Sequence, residues 1–573
     1  MILHALYRYY QRKTQEENTD LPRIGFEYVA ISYLIEINEQ GELLGIIPRI
    51  EGKGKDKCIT LEPVPQSVKR SSGISANLLW DNTGYILGFD TKGKPERAQA
   101  AHQDFIRRIK EAFPNTEDVG ICAVLQFFET EQYLKVFEHS LWKEISESTG
   151  NLSFKLQNEL GLICQRPVVQ AFVESQEQQT SESQEFCLVT GEKSNISRLH
   201  ASIKGVLGGQ TGGGSIVSFN KNAFESFLKR DLQGLNAPVG RPAEYAYTTA
   251  LNYLLRKGSP QRMQVGDAST IWWASEKTEL ESSFADLFTE YPKDDPDPDR
   301  NSSAIEAFLK SPKKGKLSED IENTIFYVLG LAPNASRIAI RFWYHDTVAN
   351  LSDNLRNYFS ELEIVHAPSY PNHVPLSKLL RETALLNKTD NIPPKLSGDV
   401  MSAILNNTPY PYTLLNAVIQ RVRAARKVHY YHAALMKAWL NRNKQEKITV
   451  ALDLENKNVA YRLGRLFATL EKTQIDALGD INAGIRDRYY GAASSTPIVA
   501  FPRLLKLANH HLSKIAYKGQ AVNAEKLIGE ILFEISEFPT TLALPDQARF
   551  ALGYYHQRQV FFTPKADKAE KAA

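Results

Sequence analysis

GGQTGGGSIVSFNKNAF, Gly208 to Phe224, places five glycines in its first seven residues and then runs into a β-branched, aromatic stretch. Glycine at this density lets the backbone approach a partner closely. If the partner were a nucleotide's phosphates, the chain would be a nucleotide-binding α/β fold. A Walker loop, however, needs Gly-Lys-Ser/Thr opening a helix, so that the lysine reaches the β/γ-phosphates and the hydroxyl holds magnesium. Here Gly214-Ser215-Ile216 leads instead into SIVSFN (215–220), which predicts a strand. A dinucleotide fingerprint fails as well, because its glycines must follow a strand and start a helix. Two readings remain: a flexible hairpin or bulge, and a backbone loop, tipped by Gln210 and Thr211, laid against a nucleic-acid groove.

Working outward, the chain before residue 396 mixes strands and helices. YVAISYLIEIN, EQGE and LLGIIPRI predict a β-hairpin with Gly41 in the turn, after a short helix carrying Ile2, Leu3, Leu6, Tyr9 and Tyr10. GYILGF (84–89), AVLQFF (123–128), TIWWA (270–274) and RIAIRFWYH (337–345) predict further strands, with helices over Arg97 to Phe113 and Pro242 to Lys257. Residues 173–185 and 291–303 are polar, non-periodic linkers or loops. Beyond Leu396 a 3.6-residue period takes over: Leu414, Leu415, Val418, Ile419 and Val422 form one stripe, and Val459, Leu463, Leu466 and Leu470 another. Leu504, Leu505, Leu512 and Ile515, then Leu527, Ile528, Ile531 and Leu532, continue the pattern. The expected fold is an α+β N-terminal region followed by an all-α C-terminal helical bundle. Its expected divisions are 1–180, 181–395 with the glycine loop, and 396–573, the last residues being too polar to pack.

Composition narrows the function classes. With 573 residues, 42% hydrophobic and 23% charged, the chain is long enough for two or three globular domains. The net charge of +2 hides an asymmetry, since the part from Arg421 onward carries about ten more basic than acidic residues. Cys58, Cys122, Cys164 and Cys187 lie far apart and form no Cys-x-x-Cys pair, which fits a reducing, cytoplasmic setting. No apolar run reaches the roughly eighteen residues of a membrane span, and the N-terminus has no cleavable apolar core.

Two patches have the chemistry of nucleic-acid contact. SVKRSSGISANLLWDN, Ser67 to Asn82, combines Lys69 and Arg70 with Ser71, Ser72, Ser75, Asn77 and Asn82. Basic groups beside short donors suit phosphates, and an asparagine amide can read a base edge; a solvated loop is the plainer alternative. The helical part clusters Arg421, Arg423, Arg426 and Lys427, pairs Arg462 with Arg465 three residues apart, and adds Arg486, Arg488, Arg503, Lys506, Lys514 and Lys518, with Tyr489, Tyr490 and Tyr517 interleaved. Basic faces with aromatics suit single strands; an ordinary solvated helix surface is the alternative. Catalytic and metal patterns are weaker. His345-Asp346 lacks a nucleophile, Cys187 and His200 lack two further ligands at zinc spacing, and the adjacent His510 and His511 cannot face one site from a helix.

FCLVTGEKSNISRLHASIKGVLGGQTGGGSIVSFNKNAFESF, GLNAPVGRPAEYAYTTALNYLL, SSGISANLLWDNTGYILG and YRLGRLFATLEKTQ together resemble, in the same order, the large subunit of the type I-C CRISPR Cascade surveillance complex. The resemblance implies a non-catalytic subunit, without cofactor or metal, that recognises a short duplex motif, the PAM, of TTC type. It further implies help in opening the duplex, R-loop stabilisation and recruitment of the helicase-nuclease, while guide RNA reads the target. Implied partners are guide RNA, target double-stranded DNA, and the backbone, processing and small subunits, with no membrane. The C-terminal part would resemble a Cascade small subunit, with Met436 a candidate internal start. Asn77, Asn82, Lys69, Arg70, Ser71 and Ser72 are then candidate PAM contacts, Gln210 and Thr211 groove or strand-separating contacts, and Lys53, Lys55 and Lys57 phosphate anchors. Arg421, Arg426, Arg462, Arg465, Arg488 and Arg503 are candidates for the displaced strand. The rival readings are a metal-dependent nuclease or nucleotidyl-transfer enzyme using His345-Asp346, and an architectural subunit that touches no DNA.

Overall fold

The N-terminal alternation does make a sheet. The computed structural model describes residues 1–16, 21–51, 58–68, 70, 73–90, 95–148, 150–179, 184–219, 221–225, 233–289, 300–310, 323–393, 395–479 and 481–562. These pack as two units, residues 1–202 with 217–253, and residues 203–216 with 254–573. In the first unit, helix α1 (Ile2–Thr14) buries Ala5, Leu6, Tyr9 and Tyr10 on one face. Strand β1 (Phe26–Ile37) pairs antiparallel with β2 (Leu43–Pro48) through the expected hairpin. Gly41 turns it at φ +76°, where a side chain would strike the Ala123 carbonyl at 2.6 Å. The first half of β1 also pairs antiparallel with β3 (Leu61–Pro65), and β4 (Trp80–Asn82) and β5 (Asn151–Leu156) complete the sheet in the order β2-β1-β5-β4. Ile31, Tyr33, Leu34, Ile35 and Ile37 are all buried, so both faces of β1 are covered.

Two segments expected to be strands are helical. Residues 123–128 lie in α4 (Val119–Glu129), whose N-cap Asp118 accepts from the Ile121 N–H at 3.0 Å. The run looked like a strand because a helix buried on most sides, here through Ile121, Ala123, Val124, Phe127 and Phe128, loses the polar face that betrays its period. Residues 84–86 of the second segment belong to the short α2 (Thr83–Ile86), started by the Asn82 side chain. The expected strand 215–220 does not form over its described residues, 215–219: only a single bridge is made there, Ser215 to Arg337, beside the one from Ile203 to Gly214. The helices expected over 97–113 and 242–257 form, as α3 (Pro95–Ala112) and α6 (Arg241–Leu255), each ending one or two residues sooner. The expected loop at 173–185 begins inside α5 (Pro167–Gln179). Most of the second loop, 290–299, lies outside the described residues, and 300–303 open a helix.

The second unit is built on an antiparallel meander, β6 (Arg262–Val265), β7 (Ala268–Ala274), β8 (Ile325–Asn334) and β9 (Arg337–Thr347). Trp272, Phe326, Val328, Phe342 and Tyr344 point from one face into the same core as the helices that follow. Those are α7 (Val348–Leu362), α8 (Leu396–Leu405), α9 (Tyr412–Ala425), α10 (Tyr430–Lys444), α11 (Val459–Leu478), α12 (Ile485–Ser495), α13 (Pro497–Leu512), α14 (Lys518–Phe533) and α15 (Leu544–Phe562). The expected stripe of α9 is buried throughout, as are Leu463, Leu466 and Leu470 of α11. The Asn458 side chain caps α11 by accepting from the Tyr461 N–H at 3.1 Å. The helix ends at Gly479, φ +68°, the left-handed geometry that glycine adopts without cost. Met436 lies in the middle of α10 and is fully buried, so the element does not begin there.

Candidate nucleic-acid interface

Among the described residues of the 67–82 segment, one carboxylate organises the rest. Asp81 on β4 is 1% exposed. Its oxygens accept from the backbone N–H groups of Asn77 and Asn82, both at 2.9 Å, and from the Arg70 guanidinium, with Nη1 at 3.1 Å and Nη2 on the other oxygen. Arg70 also donates through Nε to the Ser75 carbonyl at 2.5 Å and lies 4.0 Å from the centre of the Tyr85 ring. From α3, Asp104 accepts from the Ala76 N–H at 2.7 Å, and Arg108 donates to the Ala76 carbonyl at 2.7 Å. Residues 73–82, together with Arg70, are thereby braced into an arch with Gly73 and Ile74 exposed at its apex.

That bracing changes the roles of the nominated residues. Asn77 is 4% exposed, and its amide oxygen accepts from the Val68 N–H at 3.0 Å, so it shapes the arch from inside. Asn82 caps α2 by accepting from the Gly84 N–H at 3.0 Å. Arg70 is spent on Asp81, Ser75 and Tyr85. Lys53, Lys55, Lys57, Lys69, Ser71 and Ser72 lie outside the described residues. Asp81 went unnominated, yet its sequence carried a signal: an aspartate directly after Leu78-Leu79-Trp80 is buried only when its charge is matched.

The glycine loop keeps its tip in solvent. Gln210 and Thr211 are exposed, and the Gly213 N–H closes the turn onto the Gln210 carbonyl at 2.9 Å. Behind them the Ile338 N–H donates to the Ser215 carbonyl at 3.0 Å, the Ser215 N–H donates to the Ser336 carbonyl at 3.2 Å, and the Leu207 N–H donates to Ser269 Oγ at 3.0 Å. Space is tight where the loop meets the β8–β9 turn: at Gly214 an added Cβ would lie 3.0 Å from the Ile338 side chain, which would have to give way by a few tenths of an ångström. No phosphate-sized pocket is enclosed by this loop; the cavity there is about 10 Å³.

The basic residues of the helices fall into two groups. Arg423, Arg426, Lys427, Arg488, Arg503, Lys506, Lys514 and Lys518 are exposed, and Tyr517 beside them is 78% exposed. Arg426 closes α9 in the left-handed region, φ +51°. Arg421 is half-buried, its Nε enclosed without a partner among the described residues. Arg462 and Arg465 lie inside the bundle at 6% and 4% exposure, which removes them from any exposed basic face. Tyr490 is likewise a core residue against Phe467, Phe550 and Tyr554.

The rival chemistries find little support here. His345 stacks on Trp343, which stacks on Tyr327. Asp346 accepts from the Thr347 N–H at 2.7 Å and from Asn350 Nδ2 at 2.9 Å, so it serves the start of α7. The Cys187 sulfur accepts from the N–H groups of Val189 and Gly240 at 3.3 and 3.2 Å. Burial would raise this thiol, but the surrounding donors outweigh it and the net displacement is downward. His200 Nδ1 pairs with the Tyr247 hydroxyl at 2.5 Å. No group of three or more His, Cys, Asp or Glu among the described residues is arranged to hold a metal, and no described helix is long and apolar enough to cross a membrane.

A family model described as CRISPR-associated protein (Cas_Csd1) matches residues 6–562. No curated protein matches the chain.

Proposed function

This chain belongs to the Cas_Csd1 family of CRISPR-associated proteins, the large-subunit family of type I-C Cascade complexes, and we propose that it recognises the PAM in double-stranded DNA and helps open the duplex. The same reading has it stabilise the R-loop and recruit the helicase-nuclease. The observation that carries this is the family match over nearly the whole chain; the braced arch of Arg70 and residues 73–82 supplies the physical support. A preorganised loop loses little freedom on docking, so its contacts go into discrimination between sequences. In this proposal the arch apex and the exposed tip Gln210-Thr211 approach the PAM duplex, while guide RNA pairing reads the target. The exposed residues Arg426, Arg488 and Arg503 neutralise phosphates of the displaced strand. We assign the chain no catalytic step of its own, and we place its work in the cytoplasm, in company with guide RNA and the other Cascade subunits.

The test uses the assembled complex and two duplexes that differ only in the PAM. Replacing Gln210 and Thr211 together by alanine, at positions whose side chains hold nothing else in place, should slow opening of PAM-bearing duplex while assembly is unchanged. Equal binding of both duplexes by the unaltered complex would overturn PAM recognition and leave an architectural role.

A further inference from the structure

The meander of the second unit ends on an edge. β6 (Arg262–Val265) pairs with β7 alone among the described strands. In a hairpin with a two-residue turn, here Gly266-Asp267, the flanking pair exchanges hydrogen bonds and every second pair does so after it. Val265 with Ala268 and Met263 with Thr270 are then the bonded pairs, and the Trp272 N–H continues the alternation onto the Gln261 carbonyl at 3.3 Å. Gln264, between them, turns its N–H and carbonyl away from β7. It makes no further backbone hydrogen bond among the described residues. Its side chain is engaged elsewhere, donating to the Gly266 carbonyl at 2.9 Å and accepting from Ser269 Oγ at 3.1 Å. What Gln264 offers a neighbour is its backbone.

Beside that edge lies a trough of about 520 Å³. Met263 and Val265 of β6, with Leu376 and Leu380 of the short helix Leu376–Glu382, give it an apolar floor. Gln264 lines it from the strand, and Lys378 and Arg381 line it from the helix; no carboxylate is among its described lining residues. Where Asn387 lines it, the chain takes two successive left-handed residues, Leu386 at φ +57° and Asn387 at φ +53°, a conformation that costs energy in residues other than glycine. That turn leaves Leu385 and Leu386 60% and 70% exposed, with Lys388 next in solvent. The volume alone would suit a small molecule. A strand edge along one wall is complementary instead to another extended backbone, and a lining with cations and no anion is complementary to acidic side chains.

We propose that the trough takes an extended, acidic segment of a partner protein, which joins the sheet as a strand along β6. Its alternate apolar side chains rest on the floor, its backbone meets the outward N–H and carbonyl of Gln264, and its carboxylates lie within reach of Lys378 and Arg381. Backbone pairing supplies affinity in this mode, and the floor and the cations supply the choice of segment. The site is a protein-docking surface, apart from the DNA contacts proposed above, and does not rest on them.

The probe is a fluorescent peptide of alternating valine and glutamate, and its affinity for the full chain is read by anisotropy. Two further forms carry N-methyl groups, one on every valine nitrogen and one on every glutamate nitrogen. Only one of these two sets of amides can face β6 in an added strand, so one methylated form should bind as the parent peptide does and the other about tenfold more weakly. Gln264→Pro removes the outward donor without touching a bond to β7; it should weaken the probe about tenfold and leave the melting temperature unchanged. A valine-lysine peptide should bind the unaltered chain at least about tenfold more weakly than the glutamate one, and Arg381→Gln should narrow that gap. Equal affinity of the two methylated forms, or an undiminished Gln264→Pro form, would overturn strand addition. A lysine peptide bound as tightly as the glutamate one would overturn the acidic partner, and no binding at about 1 mM probe would overturn the docking site altogether. Displacement of the probe by an oligo-dT strand, with both methylated forms bound alike, would give the trough to nucleic acid instead. Failure of PAM discrimination would leave every arm unaffected, so the two readings fail separately.

Discussion

Replacing Gly464 by alanine tests whether the α11–α15 crossing sets the geometry of the bundle. A Cβ added at Gly464 would lie 2.0 Å from the Phe550 carbonyl oxygen and 2.7 Å from the Tyr554 nitrogen, and one at Gly553 would lie 2.0 Å from the Tyr461 carbonyl oxygen. Ordinary contact starts near 3.4 Å, so the helices must part by about 1.4 Å, and the obstruction is backbone, which cannot rotate aside as a side chain would. Overpacking against movable side chains costs about 1–3 kcal/mol, and rigid backbone belongs at or above the top of that range. Alanine recovers roughly 1 kcal/mol of helix propensity over glycine, leaving a net loss of about 2–3 kcal/mol. For a unit of this size that lowers the melting temperature by about 3–4 °C. Thermal and urea unfolding of the full chain would measure it. A variant as stable as the parent, or about 1 kcal/mol more stable as at an exposed helical glycine, would refute the close crossing.

Further outcomes follow from particular residues. Asp81→Ala should free the arch, raising amide exchange over 73–82 and reducing discrimination between PAM and non-PAM duplex in the complex; unchanged discrimination would separate the arch from recognition. Neutralising Arg488 or Arg503 should weaken strand binding for all sequences and reduce the slope of log affinity against log salt by about one per residue, with stability unchanged; an unaltered slope would remove that residue from the strand path. His432 and His556 are held by burial at about 4, below their ordinary 6.5. The unfolded chain therefore binds the extra protons, and stability is complete above pH 6.5 and falls as pH drops toward 4. The loss should be about 2 kcal/mol for each histidine at pH 5, and replacing either by an isosteric neutral residue should flatten that part of the profile.

What the sequence disclosed divides along physical lines. Amphipathic elements were legible: α3 and the stripe of α9 show their periods because one face of each stays polar, while the β1–β2 hairpin, whose first strand is covered on both faces, is marked by its β-branched run and by Gly41 in the turn. The segment AVLQFF was misread because α4 is covered on most sides, and 215–219 because β-branched residues alone do not supply a partner strand. Site residues were legible by chemical type but not by burial. Asn77 and Arg70 were rightly drawn into one locus, yet their roles depend on Asp81, which reaches them through backbone N–H groups that no side-chain pattern reveals. Arg462 and Arg465 read as an exposed pair, since nothing in YRLGRLF announces that α15 covers them. The glycine between them did carry that message, for Gly464 is the point where α15 comes closest.

The same crossing bears on whether the helical part stands alone. The core that holds α11 and α15 also holds the β6–β9 sheet and α7 to α10. Lys437, next to Met436, is 3% exposed and donates to the carbonyls of Ser360 and Glu361 at 3.5 and 3.1 Å, satisfying the last turn of α7. The Tyr555 hydroxyl reaches the Val365 carbonyl at 2.8 Å. A chain begun at Met436 would strand that lysine without its acceptors and bare the apolar surface that α15 turns toward α9. Burial of this kind is stable only if another surface replaces it. The bundle therefore persists as a separate piece only where a neighbouring copy or subunit covers the face that α7 to α9 cover here.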